Sequence, residues 1–214
     1  MIDKTKFGSR FYNLTLNKYF KFEVTSFLKR LFSSKKILTN KKYIQLGCGL
    51  YDVKKNFINL DFYNDQNNNI VFSDFRYPLR FESNFFFGAF SEHTLEHLNS
   101  FNSIKFLSEV YRILIKDGVF RIVVPDLDLY IKFYNKQTSN ILFKNFTNGC
   151  EAIWSLTQNY GHLSVWNFEM LEFQLKKIGF RKIYKKNYKE GINPDLIIDK
   201  EGRELESLYI EAVK

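Results

Sequence analysis

The chain has 214 residues, 45% of them hydrophobic, with two cysteines and a formal net charge of +9. That is enough apolar material for one sizeable domain, and it excludes both wholesale disorder and a disulfide framework. The start of the chain lacks an apolar core of signal-peptide length and no run reaches the ~18 apolar residues of a membrane span, so the expectation is a cytoplasmic protein.

The charge is concentrated at one end. Residues 1–42 hold eleven Lys and Arg against Asp3 and Glu23, whereas residues 43–214 hold 21 basic and 21 acidic side chains. Residues 1–42 therefore read as a basic N-terminal arm, and the neutral body lacks the basic face expected of a nucleic-acid-binding domain. Within the arm, Leu16, Phe20, Val24, Phe27, Leu28 and Leu31 recur at helical spacing, with Lys18, Lys21, Lys29 and Arg30 outside the stripe. A basic amphipathic helix follows. Its stripe either packs on the body, leaving the lysines solvated, or lies on an anionic membrane surface, with residues 16–42 as a peripheral contact.

From residue 43 on, short apolar runs alternate with helical patterns. Strands are expected near 43–47, 57–61, 69–73, 86–91, 118–124, 180–187 and 207–213, and helices near 101–115 and 167–177. The first helix should stop at Lys116-Asp117-Gly118 with Gly118 as a left-handed cap, the second at Gly179. The order predicts an α/β domain over 43–214 with a mostly parallel seven-stranded sheet, an antiparallel last strand, and helices on both faces.

The first strand ends in Leu46-Gly47-Cys48-Gly49, and Asp61 ends the second. A Gly-x-Gly turn brings backbone close to a ligand with no Cβ in the way, and an acidic residue on the next strand tip can accept from both hydroxyls of a ribose. The pair suggests a nucleoside-binding crevice. No third glycine follows (position 52 is Asp), which argues against a pyrophosphate-bearing dinucleotide. The connection to the second strand is short for a helical crossover and should be an irregular loop. Between about 126 and 166 an aromatic-rich insertion leaves the carboxyl edge of the sheet, either as a lid and substrate platform or as an additional layer.

These motifs, with Asp74-Phe75-Arg76-Tyr77-Pro78-Leu79, Ser91-Glu92-His93-Thr94-Leu95-Glu96-His97-Leu98, Glu109-Val110-Tyr111-Arg112-Ile113-Leu114, Asp117-Gly118, Val123-Val124-Pro125-Asp126 and Gly161-His162, resemble the class I S-adenosylmethionine-dependent methyltransferases. The likeness is to their type 11-like branch and covers about 43–213. It implies a Rossmann-like fold and S-adenosyl-L-methionine as cofactor. Gly47, Cys48 and Gly49 would face its amino-acid part, Asp61 its ribose and Asp74 the adenine amine, with Ser91 and His93 beside the sulfonium. Two positions depart from the pattern: Gln45 replaces an acidic residue, and Phe87, in a run expected to be packed, replaces Asp.

The implied reaction is methyl transfer to a small-molecule or glycan acceptor, with a hydroxyl oxygen expected as nucleophile. Positioning supplies most of the effect, and a near-neutral histidine can take the acceptor proton. His93 and His162 are the candidates for that role. Tyr130, Trp154, Tyr160 and His162 are the candidate acceptor contacts, while Glu96 and His97 are read as capping or buttressing the next helix. No metal is expected, because His93-x-x-x-His97 lacks a third matched ligand. No Gly-x-Ser-x-Gly elbow or phosphate-cradling Walker loop is present. Two other readings remain: a catalytically silent scaffold acting through the basic arm, and an RNA methyltransferase whose arm tracks phosphates.

Overall fold

The computed structural model describes residues 16–33, 35–50, 52–63 and 69–214; the first fifteen residues of the expected arm lie outside the described residues. Seven strands form one sheet: β1 (Tyr43–Leu46), β2 (Phe57–Asp61), β3 (Ile70–Phe72), β4 (Phe86–Glu92), β5 (Leu114–Pro125), β6 (Lys182–Lys186) and β7 (Ser207–Val213). Their order is β3-β2-β1-β4-β5-β7-β6. The first five run parallel, and β7 inserts antiparallel between β5 and β6. The chain reverses its direction of winding between β1 and β4, so the crevice beyond their carboxyl ends is where a ligand of an open α/β sheet sits.

Helices α2 (Ser100–Ile113) and α5 (Phe168–Ile178) pack on one face. Phe106, Leu107, Val110, Leu171 and Leu175 interdigitate there with Ile44, Leu46, Leu60, Ala89, Ile122 and Ile210. The opposite face carries a smaller cluster of Phe57, Phe90, Val119, Val123 and Tyr209, closed by Leu196 from the segment before β7. Beneath that segment the fully buried Arg121 binds Asp199 through two nitrogens (2.7 and 2.6 Å) and approaches Glu211 at 3.3 Å. The same guanidinium donates to the carbonyls of Glu190 and Asn187, fastening residues 187–199 to the sheet.

Side-chain oxygens of Asn99 and Asn167 cap the first turns of α2 and α5, each accepting from a backbone N–H three residues on. Gly179 ends α5 with φ 125°, as expected, but α2 ends differently. It stops at Ile113 because Leu114 already pairs with Phe86, and Asp117 rather than Gly118 takes the left-handed conformation (φ 64°). The run at 85–87 is also less packed than expected: only Phe86 is buried, and Lys42 lies over the exposed Phe87 ring.

The insertion after β5 holds α3 (Leu127–Tyr134) and α4 (Gly149–Gln158) around a small core of its own, formed by Tyr130, Phe143, Ala152 and Leu156. Helix α1 (Leu16–Phe32) docks beside β3 in an inverted sense. Its polar edge faces the body: Ser26, its buried residue, bonds Asp74, Glu23 pairs with Arg76, and Lys29 donates to the Phe62 carbonyl. Phe22 stacks on Phe62. Of the two placements open for the apolar stripe, packing on the body is not the one adopted, because Phe20, Phe27 and Leu31 are 66%, 57% and 59% exposed. The ion pair and buried hydroxyl orient the helix, and the stripe follows outward.

Candidate active site

The glycine turn after β1 has the predicted geometry. Gly47 and Gly49 adopt φ 82° and 63°, angles that side chains with a Cβ rarely take. The N–H groups of Gly47 and Cys48 both donate to the Leu60 carbonyl, which ties the turn to the end of β2. Gly49 N–H donates to Asp61 Oδ2 at 2.9 Å, and Tyr63 N–H to Oδ1 at 2.9 Å. The Asp61 carboxylate is thereby aimed across the tip of the turn. Cys48 is buried; desolvation, reinforced by the charge of Asp61, pushes its thiol up to about 12.

Gln45 lies on β1 just before this turn, 2% exposed, and its Oε1 has no hydrogen-bond partner among the described residues. Its Nε2 is 3.5 Å from Asp52. Asp52 therefore brings a carboxylate to the neighbourhood where the expected acidic residue is absent. It also pairs with Lys54 at 2.6 Å. An orphaned carbonyl oxygen beside a carboxylate suits a cationic donor, and the ammonium of S-adenosylmethionine is such a group. The residues present fit that cofactor.

Asp74 stands at the far end of the crevice, but its oxygens are engaged. Oδ2 accepts from Ser26 Oγ at 2.5 Å and from Arg76 Nη2 at 2.7 Å, and Oδ1 from the Arg76 backbone N–H and Nε. Burial opposes ionisation of Asp74, yet the bonds from Arg76 and Ser26 win and hold its carboxyl below the usual range. Helix α1 therefore covers Asp74 directly through Ser26 and, by way of Glu23, holds Arg76 beside it.

At the tip of β4, Ser91 is paired in register with Leu46 and is buried. Thr94 lies against the glycine turn: a Cβ added at Gly47 would meet its Oγ1 at 1.9 Å. The single proton of the Thr94 hydroxyl is shared between the carbonyls of Leu46 and Glu92, 3.2 and 3.1 Å away. The chain then bends into the 3-10 turn Leu95–His97. His93, at the bend, has φ 47°, and Tyr160-Gly161 before His162 have φ 57° and 80°. Left-handed backbone at non-glycine residues costs about 1–2 kcal/mol each, so two strained segments deliver the two predicted histidines.

The structure brings His93 and His162 together around Glu96. His93 Nδ1 is 3.3 Å and His162 Nε2 is 4.0 Å from Glu96 Oε1, while the His97 ring meets His162 edge-on at 5.1 Å. Burial, aided by the charge of Arg203, holds His93 well below its ordinary value, and burial lowers His162 as well. Both environments oppose the imidazolium form. Desolvation pushes Glu96 up to about 8. Glu96 does not buttress the following helix, which Asn99 caps; it faces inward. The sequence carried a signal for this, since positions 93, 96 and 97 share one face of a helical turn.

Of the aromatic candidates, Tyr160 is 68% and Trp154 is 49% exposed, whereas Tyr130 is sealed against Phe143. Burial raises the Tyr130 phenol above its ordinary value, with the charges of Glu206 and Tyr160 adding to the effect. Tyr160 stands next to His162, with ring centroids 6.0 Å apart, so it lies on the open side of the histidine cluster.

No protein-family model matches this chain, and no curated protein does. Solved structures do. One S-adenosylmethionine-dependent methyltransferase from Archaeoglobus fulgidus is similar at 20% identity over 89% of this chain and 93% of its own, with a TM-score of 0.50. Another, from Thermotoga maritima and described as a candidate histamine N-methyltransferase, is similar at 16% identity over 95% and 98%, with a TM-score of 0.51. The chain has the Rossmann-like fold of the class I S-adenosylmethionine-dependent methyltransferases.

Proposed function

We propose that the protein is an S-adenosylmethionine-dependent methyltransferase, its catalytic domain spanning 43–214, acting on a small molecule or glycan, with a hydroxyl oxygen as acceptor. The observation that supports this most is the Gly49–Asp61 hydrogen bond beside the topological switch point, which holds a carboxylate at the tip of the glycine turn, the position of a ribose-binding acid in open α/β folds. Gly47, Cys48 and Gly49 border the amino-acid part of the cofactor, Gln45 and Asp52 its ammonium, and Ser91 and His93 its sulfonium. Asp74 reaches the adenine amine only when Ser26 gives up its place. Methyl transfer is an in-line displacement, so holding oxygen and methyl at near-attack distance supplies most of the acceleration. Neutral His93 and His162 can each accept a hydroxyl proton. Tyr160 and Trp154 offer rings to an acceptor from the insertion. Calorimetric titration with S-adenosylmethionine and S-adenosylhomocysteine tests this reading: micromolar binding that is lost in Asp61→Ala supports it. A folded wild type that binds neither leaves the silent scaffold.

A second reading concerns α1. The outward stripe and the surrounding lysines favour peripheral attachment to an anionic membrane surface, where each nearby Lys or Arg contributes about 1 kcal/mol. No described helix is long and apolar enough to cross a membrane. Co-sedimentation with phosphatidylserine vesicles that is lost in Phe27→Asp supports attachment. Equal recovery with and without vesicles counts against it.

A further inference from the structure

Glu96 poses an electrostatic problem that its protein neighbours do not solve. It is fully buried, and neither carboxylate oxygen has a hydrogen-bond partner among the described residues. A buried carboxyl without such partners either keeps its proton or is held ionised by a cation or a metal beside it. The guanidinium of Arg203, whose charge reaches the cluster, is bonded to Glu206 instead.

The histidines around Glu96 are prepared in a way that this alone does not explain. His162 Nδ1 lies 2.7 Å from the Leu156 carbonyl, which can only accept, so Nδ1 carries the proton and Nε2 presents its lone pair toward Glu96. His93 is anchored on the opposite side of its ring, with Nε2 2.8 Å from Ser207 Oγ, leaving Nδ1 directed at Glu96. Fixing one ring nitrogen through an outer hydrogen bond while the other faces a carboxylate is the arrangement of metal-ligating histidines. One ligand atom from each of Glu96, His97 and His162 lies within 4.8 Å of the others. Around one ion at ~2.1 Å, tetrahedral ligands stand about 3.4 Å apart. The closure required is of side-chain size.

We infer that Glu96, His97 and His162, with His93 beside them, form a binding site for a divalent transition-metal ion at the acceptor edge of the crevice. Two or three imidazoles and one carboxylate suit zinc, iron or manganese better than calcium or magnesium, which prefer all-oxygen shells. Thr94, between the cluster and the glycine turn, places the site next to the cofactor crevice.

Its role rests on the methyltransferase reading above, with His162 then serving as a ligand in place of a proton acceptor. Three protein ligands leave a coordination position open, and a hydroxyl oxygen bound there loses its proton to water more readily, as zinc-bound water does. That oxygen then forms a bond to the methyl carbon, the carbon–sulfur bond breaks with its electron pair remaining on sulfur, and S-adenosylhomocysteine leaves as a neutral thioether.

The test uses the tag-free full chain, stripped with a chelator, loaded with Zn²⁺ or Mn²⁺, washed, and assayed by elemental analysis and, for Mn²⁺, by electron paramagnetic resonance. The expected result is about one ion per chain in the wild type, falling at least tenfold in Glu96→Gln and in the more exposed His97→Asn. Wild type that retains no ion above a blank, or folded variants that retain as much as wild type, overturn the proposal. Cofactor titration run in parallel separates the two ideas. Cofactor binding without ion uptake sinks the metal site alone, and ion uptake without cofactor binding leaves the site standing while removing its methyl-transfer role.

Discussion

Ser26 Oγ donates to Asp74 Oδ2 at 2.5 Å, and this buried bond joins the N-terminal helix to the far end of the candidate cofactor crevice. Arg76 completes the joint by binding both Asp74 and Glu23. The helix is therefore held by charge and hydrogen bonding rather than by its apolar stripe.

Asp74 fixes the pH dependence of that joint. Its carboxyl titrates below the unfolded value of about 3.9, so it contributes stability above that pH and loses it as pH falls through the lower folded value. Limited proteolysis of the segment between α1 and β1 should be slow down to about pH 4 and accelerate only below it. In Arg76→Met, which strands the buried carboxylate, cleavage should be fast even at neutral pH.

Asp61→Ala removes the carboxylate proposed to accept from the ribose hydroxyls and also unties Gly49. At about 1.5–3 kcal/mol for a hydrogen bond to a charged group, cofactor affinity should fall by roughly 10- to 100-fold or more. Asp52→Asn should weaken binding less, through loss of one charge beside the ammonium. Calorimetry measures both.

The two thiols should differ sharply in reactivity. Cys48 is held as a buried thiol with its pKa pushed up to about 12, whereas Cys150 is exposed. Brief treatment of the native protein with iodoacetamide at pH 8 should add one label, located at Cys150 by peptide mass mapping. Two labels should appear after denaturation.

Arg121→Met leaves Asp199 and Glu211 buried without their cation. Breaking one side of such a cluster costs about 3–5 kcal/mol, which should appear as a lowered midpoint in urea denaturation. Replacing all three residues by apolar ones should recover much of that loss.

Gly47→Ala meets two obstacles, a left-handed backbone and the Thr94 hydroxyl in the space of the new methyl. The backbone cost alone is about 1–2 kcal/mol. The substitution should lower thermal stability and weaken cofactor binding together.

Local chemistry explains what was legible in the chain. Alternating apolar runs and the Gly47–Gly49 turn depend on neighbouring residues, so six of the strands, α5 and its Gly179 cap stand within two residues of expectation, whereas β5 starts at Leu114, four residues early. The early end of α2 was not legible, because Leu114 is claimed by Phe86 on a distant strand. The direction in which α1 turns its stripe was hidden for the same reason: Asp74 and Arg76 decide it from across the sequence.

The candidate site divides along the same line. Sequence by itself determined the fold class, the position of the glycine turn and the place of Asp61 at the tip of the next strand, because these follow from strand periodicity, small residues and one short connection. It also placed His93 and His162 at the same edge. Only the tertiary structure decided that Glu96 faces inward between them with no hydrogen-bond partner among the described residues, that Asp52 comes beside Gln45, and that Tyr130 is sealed while Tyr160 is open. Burial and long-range approach set those outcomes, and neither is a property of a residue's neighbours in the chain.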